Sequence, residues 1–148
     1  MVHDYAAVCL MQTALKNMLA NNSGAIINVA STFAFTTRPH AIDYSAAKSY
    51  LVALTLATAK EIKDSKVKVQ ALCPGMTRSD VVERHGIDME ELAKKRGWFY
   101  HLMSSEFVAK ISLRALEKNK IICVPRFRNK LLVFFALLRT IFTIGVTT

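Results

Sequence analysis

Two short apolar segments, each flanked by helical patterns, constrain the fold of this 148-residue chain most strongly. Residues 24–30 and 66–73 have the length and the β-branched content that are typical of strands. The turn Asn21-Asn-Ser-Gly24 leads into the first segment, and Pro74-Gly75 ends the second. A long helix is predicted between them, from about Tyr44 to Asp64. This alternation of helix and strand predicts an α/β chain.

Four further elements continue the alternation. An apolar periodicity predicts a first helix, and the region after Gly75 is predicted to hold two more helices and a short last strand. Their ranges are 2–20, 89–96, 104–118 and 121–124. Residues 32–43, which include Pro39, are predicted to form a loop.

Tyr44 and Lys48 form the first candidate pair for chemistry. Four residues make about one helical turn, so the phenol and the ammonium share a face of the predicted helix. A cation beside a phenol favours the phenolate, and such a phenol can exchange a proton with a carbonyl or an alcohol. Tyr and Lys also meet on ordinary helix surfaces, so the pair alone is weak evidence.

Ser31 directly follows the apolar run that reads as a buried strand. A hydroxyl at the carboxyl end of such a strand is well placed to hydrogen-bond a substrate oxygen. Ser31, Tyr44 and Lys48 are therefore the candidate catalytic residues.

Three motifs in this order resemble the short-chain dehydrogenase/reductase family, from near the first residue to about Asp80. They are Asn28-Val-Ala-Ser31, the Tyr44/Lys48 pair and Val67-Lys-Val-Gln-Ala-Leu-Cys-Pro-Gly75. The resemblance implies an α/β fold, the later half of a Rossmann-like, doubly wound parallel sheet whose N-terminal βαβ units are missing.

The same resemblance implies the roles of the site residues. Ser31 would polarise the substrate carbonyl, Tyr44 would give or take the proton, and Lys48 would hold the ribose hydroxyls of NAD or NADP. The cofactor-binding residues would be Tyr44, Lys48, Pro74, Gly75 and Thr77, and the side chains of Thr77 and Ser79 would touch its nicotinamide end.

The family's glycine-rich turn, which cradles the cofactor pyrophosphate, has no counterpart in this sequence. The five glycines stand at positions 24, 75, 86, 97 and 145, and no two are close enough for that motif. We therefore expect the chain alone to bind cofactor poorly, and the choice between NAD and NADP stays open.

His3 falls where the family usually has an asparagine. A histidine ring can donate and accept hydrogen bonds, so His3 could serve a similar polar role. The alternative is a terminal residue with no role.

The region after Gly75 usually forms a lid over the substrate in this family. Bulky residues there would shape an apolar substrate pocket, although a plain loop with a short helix explains them equally well. They are Arg78, Trp98, Phe99 and Tyr100.

The resemblance divides the chain into a partial domain, 1–125, and a tail helix, 126–148. In the tail a basic run, Arg126 to Lys130, leads into an apolar stretch interrupted by Arg139. This pattern is short for a bilayer span and favours a helix that lies in a membrane interface or docks on another subunit. Packing against the rest of the domain is the third alternative.

The net charge of +9 excludes little. It would steer an anionic dinucleotide toward the site, whereas no aromatic-interleaved basic motif suggests nucleic acid. The three cysteines, Cys9, Cys73 and Cys123, lack metal-ligand spacing, so no metal is expected. They are predicted to be reduced, buried thiols of a cytoplasmic protein. Membrane association stays open as an alternative.

Small residues of the helix 44–64 let helices approach closely, and the resemblance implies a homodimer through the helices 2–20 and 44–64. Ordinary packing on the sheet explains the same small residues. The first strand is expected at an open sheet edge, which predicts marginal stability or poor solubility.

Two functions remain. One is an NAD(P)-dependent oxidoreductase for a hydrophobic carbonyl or secondary alcohol, and the other is a non-catalytic fragment that serves association or membrane contact.

Overall fold

The computed structural model describes residues 2–36, 41–78, 91 and 102–145, and side chains within these ranges except at 2–4 and 143–145. Four helices and three strands alternate along the described chain. They are α1 (Val2–Ala20), β1 (Ala25–Val29), α2 (Ile42–Glu61), β2 (Lys68–Leu72), α3 (Ser105–Glu117), β3 (Ile122–Cys123) and α4 (Phe127–Gly145). The predicted α/β class is confirmed, and each predicted element among these residues lies within a few residues of its expected bounds.

The three strands form one parallel sheet in the order β1-β2-β3. β1 pairs with β2 from Ala25 opposite Lys68 to Val29 opposite Leu72, and Leu72 also pairs with Cys123 of β3. Parallel neighbours need a crossover connection, which α2 and α3 supply. The carboxyl ends of β1 and β2 consequently lie side by side.

Helices cover both faces of β2. Successive side chains of a strand point to opposite faces, so β2 contributes residues to a core on each side. On one face Val67 and Val69 pack with Ile62, which directly follows α2, together with Leu15 and Met18 of α1. On the other face Leu72 packs with Val108 of α3 and with Met103 and Cys123. The core is therefore split into two layers around the sheet.

β1 is an edge strand of the described sheet, as the sequence predicted. The prediction that it is a buried strand needs correction, because only Asn28 of its five residues is buried and Val29 is 56% exposed. An apolar sequence shows the capacity for burial, but burial itself requires a neighbour on each side, and β1 has one in this sheet.

The structure differs from the sequence-based predictions at two further points, the loop after β1 and the burial of the cysteines. Residues 32–34 form a short 3-10 helix within the predicted loop, capped by the hydroxyl of Ser31. Cys73 and Cys123 are buried as expected, whereas Cys9 is only half-buried on α1. All three cysteines are free thiols.

Within the described ranges, no helix has both the length and the apolar character needed to cross a membrane.

Candidate active site

Tyr44 and Lys48 lie one turn apart near the start of α2. The Lys48 ammonium is over the tyrosine ring, with Nζ 5.6 Å from the ring centroid. Lys48 Nζ also donates a hydrogen bond of 2.9 Å to the carbonyl oxygen of Val29, the last residue of β1. The structure thus brings the predicted pair together at the carboxyl end of a strand, where α/β proteins bind ligands.

Ser31 lies two residues beyond β1 and is buried. Its Oγ accepts a hydrogen bond of 3.2 Å from the backbone N–H of Phe33. This bond uses an acceptor site of the hydroxyl and not its proton, so it is compatible with donation by Ser31 to a substrate oxygen.

Phe33 connects the serine to the tyrosine, a role that the sequence reasoning missed. Its ring meets the Tyr44 ring edge-on, with 5.9 Å between the ring centroids and an interplanar angle of 84°. Such edge-to-face pairs are favourable because the positive edge of one ring meets the negative face of the other. Phe33 therefore helps to fix the orientation of the Tyr44 ring.

Backbone hydrogen bonds place the Ser31 segment against the end of β2. The Ala30 N–H donates to the Leu72 carbonyl at 2.7 Å, and the Thr32 N–H donates to the Pro74 carbonyl at 2.9 Å. Ser31 stands between these two bonds. The predicted catalytic serine and the predicted cofactor-binding turn Pro74-Gly75 are consequently neighbours.

Thr77 continues this turn and is joined to the segment before α3. Its Oγ1 donates to the Gly75 carbonyl at 3.1 Å, and Thr77 forms a parallel bridge with Met103. The Met103 N–H donates to the Met76 carbonyl at 3.0 Å, and Met103 is buried. Pro74, Gly75 and Thr77 therefore form one braced segment along the edge of the site.

Asn129 of α4 packs directly on Gly75, a contact that the sequence did not predict. A side chain at Gly75 would meet Asn129, because an added Cβ would lie 2.7 Å from Asn129 Oδ1. The Asn129 side chain is buried and its Nδ2 donates to the Pro125 carbonyl at 2.8 Å. The absence of a side chain at Gly75 thus lets α4 approach the turn.

Asn28, which belongs to the first quoted motif, has a positioning role. Its buried amide Nδ2 donates to Thr55 Oγ1 of α2 at 2.8 Å and contacts Met11 Sδ of α1 at 3.1 Å. Thr55 is fully buried, and its hydroxyl donates in turn to the Leu51 carbonyl at 2.7 Å. This network holds α1 and α2 on β1 and so fixes the position of α2 relative to the strand end that carries Ser31.

A second hydroxyl contact fixes α2 to the 3-10 helix. Ser49 Oγ donates to the Ala34 carbonyl at 2.7 Å and lies 2.9 Å from the Ser45 carbonyl oxygen. The neighbouring Ser45 Oγ is buried and has no hydrogen-bond partner among the described residues.

The cysteine at the end of β2 is not a nucleophile candidate. Burial raises the pKa of the Cys73 thiol to about 12, and nearby Cys123 adds to the shift. Burial also raises the pKa of Cys123. A thiol that stays protonated at neutral pH is a poor nucleophile, so Cys73 serves packing.

Several predicted residues lie outside the described part of the chain. They are Ser79 and the lid residues Trp98, Phe99 and Tyr100, together with the side chain of His3. The assignment of catalytic and cofactor-binding roles to the residues above stays a prediction.

Comparison with known proteins supplies independent evidence. The family model described as short chain dehydrogenase matches residues 4–90. The 3-oxoacyl-(acyl-carrier-protein) reductase of Rickettsia bellii is 29% identical over 87 residues, which cover 59% of this chain and 36% of that protein. The enzyme of the same name from Bos taurus is 34% identical over 84 residues, covering 57% of this chain and 34% of that protein. The chain thus spans about a third of the length of these relatives.

Solved structures support the fold. A short-chain dehydrogenase from Sphingobium yanoikuyae in complex with NADPH superposes with a TM-score of 0.68 at 22% identity, covering 84% of this chain and 46% of that chain. One from Burkholderia cenocepacia in complex with NADP gives a TM-score of 0.69 at 21% identity, covering 98% of this chain and 56% of that chain.

Proposed function

The chain belongs to the short-chain dehydrogenase family, and we propose that it supplies the catalytic residues of an NAD(P)-dependent oxidoreductase acting on a carbonyl or secondary alcohol. The observation that carries this proposal is the Lys48 ammonium, held over the Tyr44 ring and bonded to the end of β1. The relatives described above are named as reductases, which gives the non-catalytic alternative no support.

Each candidate residue has a distinct task in the reaction. Ser31 donates a hydrogen bond to the substrate carbonyl oxygen, since the Phe33 N–H occupies only an acceptor site of its hydroxyl. Tyr44 gives a proton to that oxygen in reduction and takes it back in oxidation. Lys48 holds its ammonium over the ring that carries this phenol.

The residues at the end of β1 fit the nicotinamide end of a dinucleotide. An ammonium has three donors, and the bond to Val29 uses one of them, so Lys48 can also hold ribose hydroxyls. Pro74, Gly75 and Thr77 would line the same end of the cofactor. The bound nicotinamide supplies or accepts the hydride. This sequence contains no glycine-rich turn that would bind the cofactor phosphates, so the affinity for the cofactor depends on Lys48, Pro74, Gly75 and Thr77.

An acyl ketone is the proposed substrate class. The relatives described above carry the name 3-oxoacyl reductase, and the apolar Phe33 ring lies against Tyr44, where the substrate carbonyl must come. A 3-oxoacyl thioester joins a reducible carbonyl to an apolar chain and is therefore the first substrate to test.

The proposal includes a homodimer through α1 and α2. Each helix presents large exposed apolar residues, Tyr5 and Leu10 on α1 and Tyr50 and Leu56 on α2. Sedimentation velocity over a range of concentrations tests this proposal. A chain that stays monomeric throughout would contradict it.

Cofactor titration tests the central claim. The purified 148-residue chain is titrated with NADPH and with NADH while nicotinamide fluorescence is followed. Lys48→Met is compared with Lys60→Met, which removes another lysine from the same helix. A lost charge-assisted hydrogen bond is worth about 1.5–3 kcal/mol, so we expect cofactor binding to be at least about tenfold weaker for Lys48→Met. For Lys60→Met we expect an unchanged cofactor affinity.

Tyr44→Phe completes the design. We expect it to leave cofactor affinity nearly unchanged and to abolish reduction of an acetoacetyl thioester, because only the proton donor is removed. A wild-type Kd weaker than roughly 1 mM for both cofactors would refute the proposal for this chain. Equal effects of the Lys48 and Lys60 substitutions would refute the assigned role of Lys48.

A further inference from the structure

The helix α4 carries a stripe of exposed apolar residues. Phe127, Phe134 and Ile141 recur at intervals of seven residues and are 76%, 56% and 65% exposed. At about 3.6 residues per turn, residues seven apart share a face of a helix. Further exposed apolar residues of the same helix are Phe135, Leu137 and Phe142. Contiguous apolar surface of this kind marks an interaction site.

The opposite face of α4 holds the helix on the protein. Asn129 and Val133, four residues apart, are buried, and Asn129 packs on Gly75. Because the inner contacts lie on the side opposite to Phe127, the stripe is turned outward by the way in which the helix is attached.

Cations border the stripe on both sides. At about 100° per residue, Lys130 lies on one side of the Phe127–Ile141 line, and Arg128 and Arg139 lie on the other. Residues 126–148 contain four basic residues and no Asp or Glu. Long basic side chains at the margins of an apolar face can keep their charge in the headgroup layer while their stems cover apolar surface.

We propose that this outer face of α4 binds the surface of an anionic lipid membrane, with its aromatic and aliphatic side chains in the acyl boundary and its cations among the headgroups. An amphipathic helix with a basic border is the arrangement that binds such interfaces. Pairing of two copies through α4 is disfavoured, because with no acidic residue in residues 126–148 it would bring only cations together.

Binding in this orientation has a consequence for the site. The inner face of α4 contacts the Pro74-Gly75 turn, so the helix that lies on the lipid also braces the candidate active site. An acyl substrate dissolved in the bilayer would then reach the site over a short distance. Only this consequence rests on the proposed function, and lipid binding does not.

Vesicle flotation tests the proposal directly. The chain is mixed with vesicles of phosphatidylcholine alone or of phosphatidylcholine with phosphatidylserine, and the bound fraction is measured. We expect binding to the anionic vesicles that weakens when ionic strength rises from about 0.1 to 1 M, where the Debye length falls from roughly 10 to 3 Å.

Matched variants separate the stripe from general surface effects. Ile141→Asn should weaken the partition coefficient by about tenfold, since a buried aliphatic side chain contributes at least that much. Leu113→Asn, which changes an exposed leucine of α3, should not weaken it. Lys130→Gln should weaken binding by about fivefold, and Lys110→Gln on α3 should leave it unchanged.

The outcomes are distinct. Absence of wild-type binding to anionic vesicles, or equal losses for Ile141→Asn and Leu113→Asn, would overturn the proposal. Self-association that Ile141→Asn abolishes, without vesicle binding, would show that a second copy covers the stripe and would also overturn it. Circular dichroism of each variant checks that the fold is retained. Loss of lipid binding with unchanged cofactor affinity would support the lipid site independently of the enzymatic proposal.

Discussion

A single methyl group added at Gly75 tests how α4 is held against the candidate site. The added Cβ would lie 2.7 Å from Oδ1, 2.9 Å from Nδ2 and 3.0 Å from Cγ of Asn129. Asn129 cannot turn aside without cost, because it is buried and donates to the Pro125 carbonyl at 2.8 Å. We expect Gly75→Ala to displace the Asn129 amide and to loosen the start of α4.

The magnitude follows from two opposing effects. Overpacking a well-packed site costs about 1–3 kcal/mol. Gly75 does not have a positive φ, so alanine fits its backbone and stabilises by about 0.4–1 kcal/mol through the unfolded state. When Asn129 is first changed to Ala, the crowded atoms are gone and only the stabilising effect remains. The effect on the unfolded state is the same in both backgrounds and cancels, so the interaction free energy between the two sites should equal the overpacking cost of about 1–3 kcal/mol.

Urea unfolding followed by circular dichroism measures this quantity in a double-mutant cycle of wild type, Gly75→Ala, Asn129→Ala and the double variant. Gly75→Ala should lower the free energy of unfolding in the wild-type background and raise it in the Asn129→Ala background. An interaction free energy within about 0.5 kcal/mol of zero would refute the reasoning, because the two side chains would then act independently.

Two further predictions concern the buried groups of the sheet. Thr55→Val leaves the Asn28 amide without its 2.8 Å acceptor and should cost about 1–3 kcal/mol in unfolding free energy, whereas Thr13→Val on exposed α1 surface should cost much less; equal shifts in Tm would contradict this. The folded pKa of Cys73 is raised from 9.0 to about 12, so the folded state keeps the proton longer and stability falls as pH rises above 9. Between about pH 8 and about pH 10 the wild type should lose roughly 1.4 kcal/mol more than Cys73→Ala, as measured by urea unfolding at each pH, and parallel pH profiles would exclude the buried thiol as the cause.

The element order was predictable because it depends on local pattern. A Pro-Gly pair ends β2, and the Ser104 hydroxyl caps α3 by accepting a hydrogen bond from the Phe107 N–H. Both features are readable in the sequence. The exposure of β1 was not readable from its composition, because Ala25–Val29 has the apolar content of a buried strand but a strand neighbour on one side only.

The contacts of the candidate site likewise fall into those that the sequence predicted and those that it did not. The proximity of Tyr44 and Lys48 follows from helical spacing alone, and the structure confirms it. The approach of Ser31 to Pro74 depends on the register of β1 with β2, which spacing does not give. Asn129 was missed because its contact with Gly75 joins residues that are far apart in the sequence, and no local pattern marks such a contact.

The Lys48 bond to Val29 links the chemistry of the site to the outer edge of the sheet. The Ala30 N–H points to β2, whereas the Val29 carbonyl accepts from Lys48. Any chain that pairs along the outer side of β1 as far as Val29 must therefore share that carbonyl with the ammonium or displace it. Because the same ammonium lies over the Tyr44 ring, a change at the sheet edge is transmitted to the phenol by one side chain. The geometry of the candidate catalytic pair thus depends on what covers β1, and not on α2 alone.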